Sequence, residues 1–278
     1  MEFIDTHQHL IFRDRFGYEW TNGIPPLAEG DFTPSDYAAL TEGKGIGGTV
    51  FMETGVDDAD YQAEARHVAG MIGTERMLGQ IASCRPEDEL GFDAWLEECK
   101  DLGVVGYRRI LHVMPDELSQ SSTFRTNIKK IGAANLPFDI CVLARQLPLA
   151  TELAQACEGQ HFILNHCGVP DIAGGAFEVW ATDIEQLAQL PHVTVKLSGL
   201  TAYCTPGTGN TETLQPWVNH VLDAFGPARM VWGGDWPIVN LGSGLPDWIA
   251  ITRELLKELS SDEQSAIAGD NARKLFKL

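Results

Sequence analysis

The strongest constraint on the fold is an alternation repeated along the whole chain. Short β-branched or apolar runs recur across 278 residues, separated by polar loops and stretches whose apolar residues fall at helical spacing. Eight runs occur, over residues 3–10, 48–53, 77–82, 104–111, 138–143, 161–165, 193–197 and 230–233. Helical stretches lie between them at 59–72, 91–101, 147–157, 177–190 and 214–225. Such spacing suits successive βα units, which need about 30 residues each. Eight of them over about 250 residues spell an α/β fold of the (β/α)₈ or TIM-barrel type. The rival, an open doubly wound sheet, carries a glycine-rich phosphate turn after its first strand. Here the first strand runs into His7-Gln8-His9 instead.

No linker, repeat or low-complexity segment interrupts the pattern, so a single domain over 1–278 is expected. Residues 245–259 read as the eighth helix, and Ser260-Ser261-Asp262-Glu263 caps an extra C-terminal helix through Phe276. The stretch 14–34 is long for a βα loop, and such loops are commonly lids or substrate walls.

Composition excludes several classes of function. Twenty Lys and Arg against 39 Asp and Glu give a net charge of −19, which repels a nucleic-acid backbone. No apolar run is long enough to span a membrane. Met1-Glu2-Phe3-Ile4-Asp5 enters a strand without a basic region or cleavable apolar segment, so a cytoplasmic location is the expected default. Six scattered cysteines without a C-x-x-C pair support neither a disulfide framework nor a cysteine-rich zinc site.

Barrel chemistry sits at the C-terminal ends of the strands. There the chain places His7 and His9, Glu53, Arg108 and Arg109, His166, Lys196 and Asp235. On an extended strand Asp5, His7 and His9 share one face. Histidines at i and i+2 can grip one cation, and the plainer alternative is a hydrogen-bonded interior pair. Asp235, in Gly233-Gly234-Asp235-Trp236-Pro237, can take a proton from water or cap a turn. His166 sits where a strand gives way to a loop. One of Arg108 and Arg109 must face inward, to hold a carboxylate or polarised carbonyl or to pair with a loop acid. Glu53 and Lys196 divide evenly between site and structure.

Asp5-Thr6-His7-Gln8-His9, Asn165-His166-Cys167-Gly168, Val195-Lys196-Leu197-Ser198-Gly199-Leu200, Gly234-Asp235-Trp236-Pro237 and Gly269-Asp270-Asn271-Ala272-Arg273-Lys274-Leu275-Phe276 together resemble the amidohydrolase superfamily. Within it the chain is similar to the branch of L-fuconolactonase, L-rhamnonolactonase, sulfomuconolactone hydrolase and pyrone-dicarboxylate lactonase. The resemblance implies a distorted barrel that hydrolyses cyclic esters. It implies that His7, His9 and His166 match the histidines of strands 1 and 6, Asp235 the basic aspartate, Arg108 a substrate arginine, and Trp20 a tryptophan of the first loop. Strand 4 offers arginine in place of a bridging ligand, and strand 5 offers no histidine. The implied cofactor is therefore one divalent metal, Zn²⁺ on His7, His9, His166 and Asp235, or none.

The expected reaction is ring opening of a small lactone, foremost a sugar lactone, by water that Asp235 activates, with Asp235, His166 and Arg108 catalytic. Trp20, Glu53, Arg109 and Lys196 are the expected substrate-binding residues. The alternatives are a carboxylated muconolactone or pyrone substrate, metal-dependent decarboxylation of an aromatic acid, and a barrel that binds a metabolite without turnover.

Overall fold

The computed structural model describes residues 1–278. Eight parallel strands follow one another around one sheet in chain order: β1 (Phe3–Gln8), β2 (Ile46–Met52), β3 (Met77–Ser83), β4 (Val104–Ile110), β5 (Phe138–Cys141), β6 (Phe162–Leu164), β7 (Val193–Ser198) and β8 (Met230–Gly233). Helices α1 (Pro34–Thr41), α2 (Tyr61–Ala69), α3 (Phe92–Cys99), α4 (Ser122–Ala133), α5 (Leu147–Ala156), α6 (Phe177–Ala188), α7 (Thr211–Phe225) and α8 (Leu245–Leu255) connect and follow the strands. This is the expected (β/α)₈ barrel, nearly closed. The seam between β8 and β1 has no regular ladder. It is held by a bridge between Gln8 and Trp236, with the His9 N–H donating to the Trp236 carbonyl and the Asp235 N–H to the His7 carbonyl, each at 2.8 Å. The loosest part of the barrel therefore carries the site residues.

Period-two alternation sorts the strand residues into two environments. Phe51, Tyr107, Phe138, Phe162, Val195 and Trp232 face outward into the main core. Ile4, Val50, Met52, Ile81, Ile163 and Val231 fill the barrel floor, which Ala272 and Phe276 of the last helix seal from below. That last helix is not continuous: α9 (Ser261–Ser265) passes through a π-helical segment (Ala266–Asp270) into α10 (Asn271–Phe276). No helix is long and apolar enough to cross a membrane.

The first strand corrects one expectation. Asp5 pairs with Thr49 and Gln8 with Phe51, so three steps along β1 match two along β2. This is a one-residue bulge, and it reverses the facing of the side chains beyond it. Asp5 takes hydrogen bonds from the Tyr37 hydroxyl of α1 at 2.6 Å and from the Gly234 N–H at 2.7 Å. Its burial raises the carboxyl pKa, against these hydrogen bonds. Only beyond the bulge do His7 and His9 join Asp235 inside the barrel mouth.

Candidate active site

Asp235 is the centre of the polar cluster. It is buried and left-handed, with φ of +57°, directly after Gly233, which ends β8, and Gly234. Both glycines are forced by contact: a Cβ on Gly233 would lie 2.6 Å from the His7 Cβ, and one on Gly234 would lie 2.4 Å from Asp5 Oδ2. Around the carboxylate, His9 Nε2 and His7 Nε2 stand 3.6 Å and 3.7 Å from Oδ1, and His166 Nδ1 stands 3.8 Å from Oδ2. These distances exceed a hydrogen bond, and Oδ2 is buried without a donor. Burial raises the Asp235 pKa, while His166, Arg108 and Lys196 restrain the rise.

The imidazoles are neutral. Burial and the Arg108 cation lower His9 to about 3. Burial takes His166 to about 4 despite the opposing pull of Asp235, and burial with the neighbouring His166 lowers His7 well below its usual range. His9 Nδ1 lies 3.0 Å from the Met52 carbonyl, so it donates there and leaves Nε2 as a lone pair toward Asp235. The rings of His7 and His166 are 4.5 Å apart. His166 is delivered by a left-handed run, with φ of +51°, +52° and +49° at His166, Cys167 and Val169, a conformation that a β-branched valine adopts only under constraint.

One candidate metal site follows. His7, His9 and Asp235 offer three ligand atoms within 4.8 Å of one another, and tetrahedral zinc sets its donors about 3.3 Å apart at bond lengths of about 2.0–2.1 Å. Neutral imidazoles and an undonated carboxylate oxygen suit such an ion. His166, expected as a fourth ligand, is not part of this group. Its Nδ1 is engaged with Ser198, 2.9 Å from the hydroxyl.

Of the expected substrate residues, Arg108 is inside. Its Nε donates to Glu53 Oε1 at 2.6 Å and its Nη2 to the Glu53 carbonyl at 2.6 Å, while Nη1 lies 3.3 Å from His7 Nε2. Glu53 is therefore fixed on both oxygens, the other accepting from the Gly55 N–H. Burial opposes its ionisation, but Arg108 and the hydrogen bonds outweigh burial and lower its pKa. Arg109 turns away and pairs with Glu87 at 2.6 Å, as alternation on β4 requires. Lys196 is wholly buried beneath the site, bonding Asp139 at 2.7 Å and the Thr6 carbonyl at 3.0 Å. Glu53, Arg109 and Lys196 thus each have a counter-ion in the structure, as Arg108 does. Trp20 is exposed at the mouth, its indole N–H donating to the Thr54 carbonyl at 3.0 Å.

Sequence reasoning missed Asp139, Ser198, His112, Cys141 and Tyr203. The period-two face of β5 puts Asp139 and Cys141 on one side, which is the signal that was available.

The amidohydrolase family profile matches residues 4–278. The L-fucono-1,5-lactonase of Burkholderia ambifaria is 27% identical over 99% of this chain and 95% of its own length. The 4-sulfomuconolactone hydrolase of Rhizobium radiobacter is 26% identical over 84% of this chain and 75% of its own. A solved amidohydrolase from Burkholderia multivorans, with bound zinc, superposes with a TM-score of 0.91 at 23% identity over the full length of both chains. With the profile spanning all but the first three residues and the fold shared throughout, the chain belongs to the amidohydrolase family.

Proposed function

We propose that this chain is a hydrolase that opens the ring of a neutral sugar lactone by attack of water on its carbonyl, with Asp235 as the base. The observation that carries the reading is the Asp235 carboxylate, buried beside neutral histidines with one oxygen undonated. A carboxylate poised this way removes a proton from a water at the lactone carbonyl. Arg108, held rigid by Glu53, keeps Nη1 near His7 for the developing oxyanion; such a donor is worth about 10²- to 10³-fold in rate. When the tetrahedral carbon collapses, the ester C–O bond breaks. The proton on Asp235 returns to the departing alkoxide, giving a hydroxy acid.

His7, His9 and Asp235 are the residues that would hold a zinc ion, with His166 beside them. When bound, such an ion supplies Lewis acidity.

Charge selects the substrate class. A dicarboxylate lactone needs several inward cations without acidic partners, and Arg108, the one beside His7, already has an acidic partner. Arg108 pairs with Glu53, Arg109 with Glu87 and Arg145 with Asp116. Arg13 is tied to Gly30 O and Thr21 Oγ1, and Arg15 is exposed beside Asp14. This favours an uncharged ring, which the exposed Trp20 face can stack upon. The named lactones of the relatives support the reaction class.

The test is acid release from a panel of aldonolactones and muconolactone-type acids, run with and without chelator, beside zinc analysis of the purified chain. Turnover of a neutral sugar lactone is expected. Turnover confined to carboxylated lactones overturns the substrate class, and silence across the panel overturns the reaction.

A further inference from the structure

At or after the C-terminal ends of β4, β5 and β7 stand three side chains that this mechanism does not use. His112 follows β4, Cys141 ends β5, and Tyr203 lies in the turn after β7. Cys141 lies on the same face of β5 as Asp139, His112 touches its sulfur, and the Tyr203 ring meets His166 edge-on at 6.0 Å.

Their hydrogen-bonding inventory sets two of them apart. Arg108, Glu53, Lys196, His9 and His166 each have a protein partner. The Tyr203 hydroxyl has none. Burial and the nearby Asp235 carboxylate hold its pKa well above the usual phenol value, so it keeps its proton. Cys141 Sγ lies 3.4 Å from His112 Nδ1. Burial pushes the thiol up to about 11, so it remains S–H. The His112 Nε2, on the other side of the ring from that contact, is again without a protein partner.

We propose that Tyr203 and His112 form the specificity wall of the site, hydrogen-bonding through Oη and Nε2 to hydroxyl groups of a neutral polyhydroxylated lactone. The proposal rests on the lactonase reading and deepens it. Two uncharged hydrogen-bonding groups suit uncharged hydroxyls, whereas a carboxylate would be matched by a free guanidinium. Cys141 is a positioning residue, since it acts only by holding the His112 ring through Nδ1. Tyr203 is itself fixed through its carbonyl, which accepts from the Ala173 N–H at 3.1 Å.

The test uses the full chain and two non-hydrolysable probes, an aldono-1,5-lactam and the hydroxyl-free δ-valerolactam, with calorimetry as the readout. Tyr203→Phe keeps the ring against His166, and His112→Gln restores a hydrogen-bonding group near the position of Nε2 that His112→Ala removes. Tyr203→Phe and His112→Ala are expected to weaken the sugar lactam about 10- to 100-fold, the range for one lost hydrogen bond at a buried site. Valerolactam binding is expected to stay level, and His112→Gln to recover most of the loss. For a sugar lactone the deficit is expected in KM rather than kcat. Equal weakening of both lactams, a deficit confined to kcat, or no sugar-lactam binding by the unmutated chain overturns the proposal.

The two readings separate. The expected lactam pattern without lactone opening upholds the wall and removes the hydrolase. Lactone opening at unmutated efficiency by both variants does the reverse.

Discussion

Gly199 and Asp235 share space that admits only one side chain: a Cβ built on Gly199 would lie 2.1 Å from Asp235 Oδ2. Gly199 also holds φ at +62°, where any other residue is strained. Gly199→Ala is therefore expected to displace the carboxylate and cut kcat/KM on the sugar lactone at least about 100-fold, as small misplacements of a catalytic group do. Steady-state rates beside a circular-dichroism spectrum decide it; a folded variant with ordinary turnover would remove Asp235 from the chemistry.

Asp235→Asn separates the chemistry from the scaffold. The amide keeps the shape but cannot take a proton, so turnover should fall by roughly 10²-fold or more, the value of general base catalysis. A buried carboxylate without a donor on Oδ2 costs stability that a neutral amide does not. The variant should thus melt no lower than the unmutated chain in a calorimetric scan, and a large drop would mean that Asp235 is chiefly structural.

Glu53 and Arg108 form a buried ion pair, and removing one partner leaves a lone charge. Glu53→Ala and Arg108→Ala are each expected to destabilise by about 3–5 kcal/mol. The double variant should cost clearly less than the sum of the two. Urea melts of the four proteins in the cycle measure that coupling, and simple additivity would contradict the pairing.

The barrel was legible because alternation and spacing are properties of each strand's own residues. All eight strands fall where the apolar runs place them, within about two residues at each end, which is the usual uncertainty of boundaries. The site was legible in part. His7, His9, His166, Arg108 and Asp235 do converge, because strand ends project to one mouth. Asp5 escaped the reading because a bulge is a two-strand property, visible only in the pairing of β1 with β2. The partners of Glu53, Arg109 and Lys196 were not legible for a related reason. They are supplied from two strands away or from a loop, here Arg108, Glu87 and Asp139. Tyr203 lies in a loop, where no periodicity announces orientation.

Glu64 of α2 supplies a pH-dependent test of the wall behind Trp20. It is buried, and its Oε1 accepts from the Thr54 N–H at 3.1 Å, while the Thr54 carbonyl accepts from Trp20. Burial, joined by the nearby Glu53 carboxylate, raises the Glu64 pKa from 4.5 to about 8. The folded chain thus holds this proton where the unfolded chain has lost it. By linkage, the contribution is fully present below pH about 4.5 and is lost as pH rises through about 8. Glu64→Gln keeps the acceptor for Thr54 and abolishes the titration. Its melting temperature should match that of the unmutated chain at about pH 4 and clearly exceed it at pH 8, since each unit between the unfolded and folded pKa is worth about 1.4 kcal/mol and each kcal/mol about 2–4 °C in a chain of this size. Parallel melting curves for the two proteins across that range would show that Glu64 is ionised in the folded state, and that the Thr54 contact alone holds it.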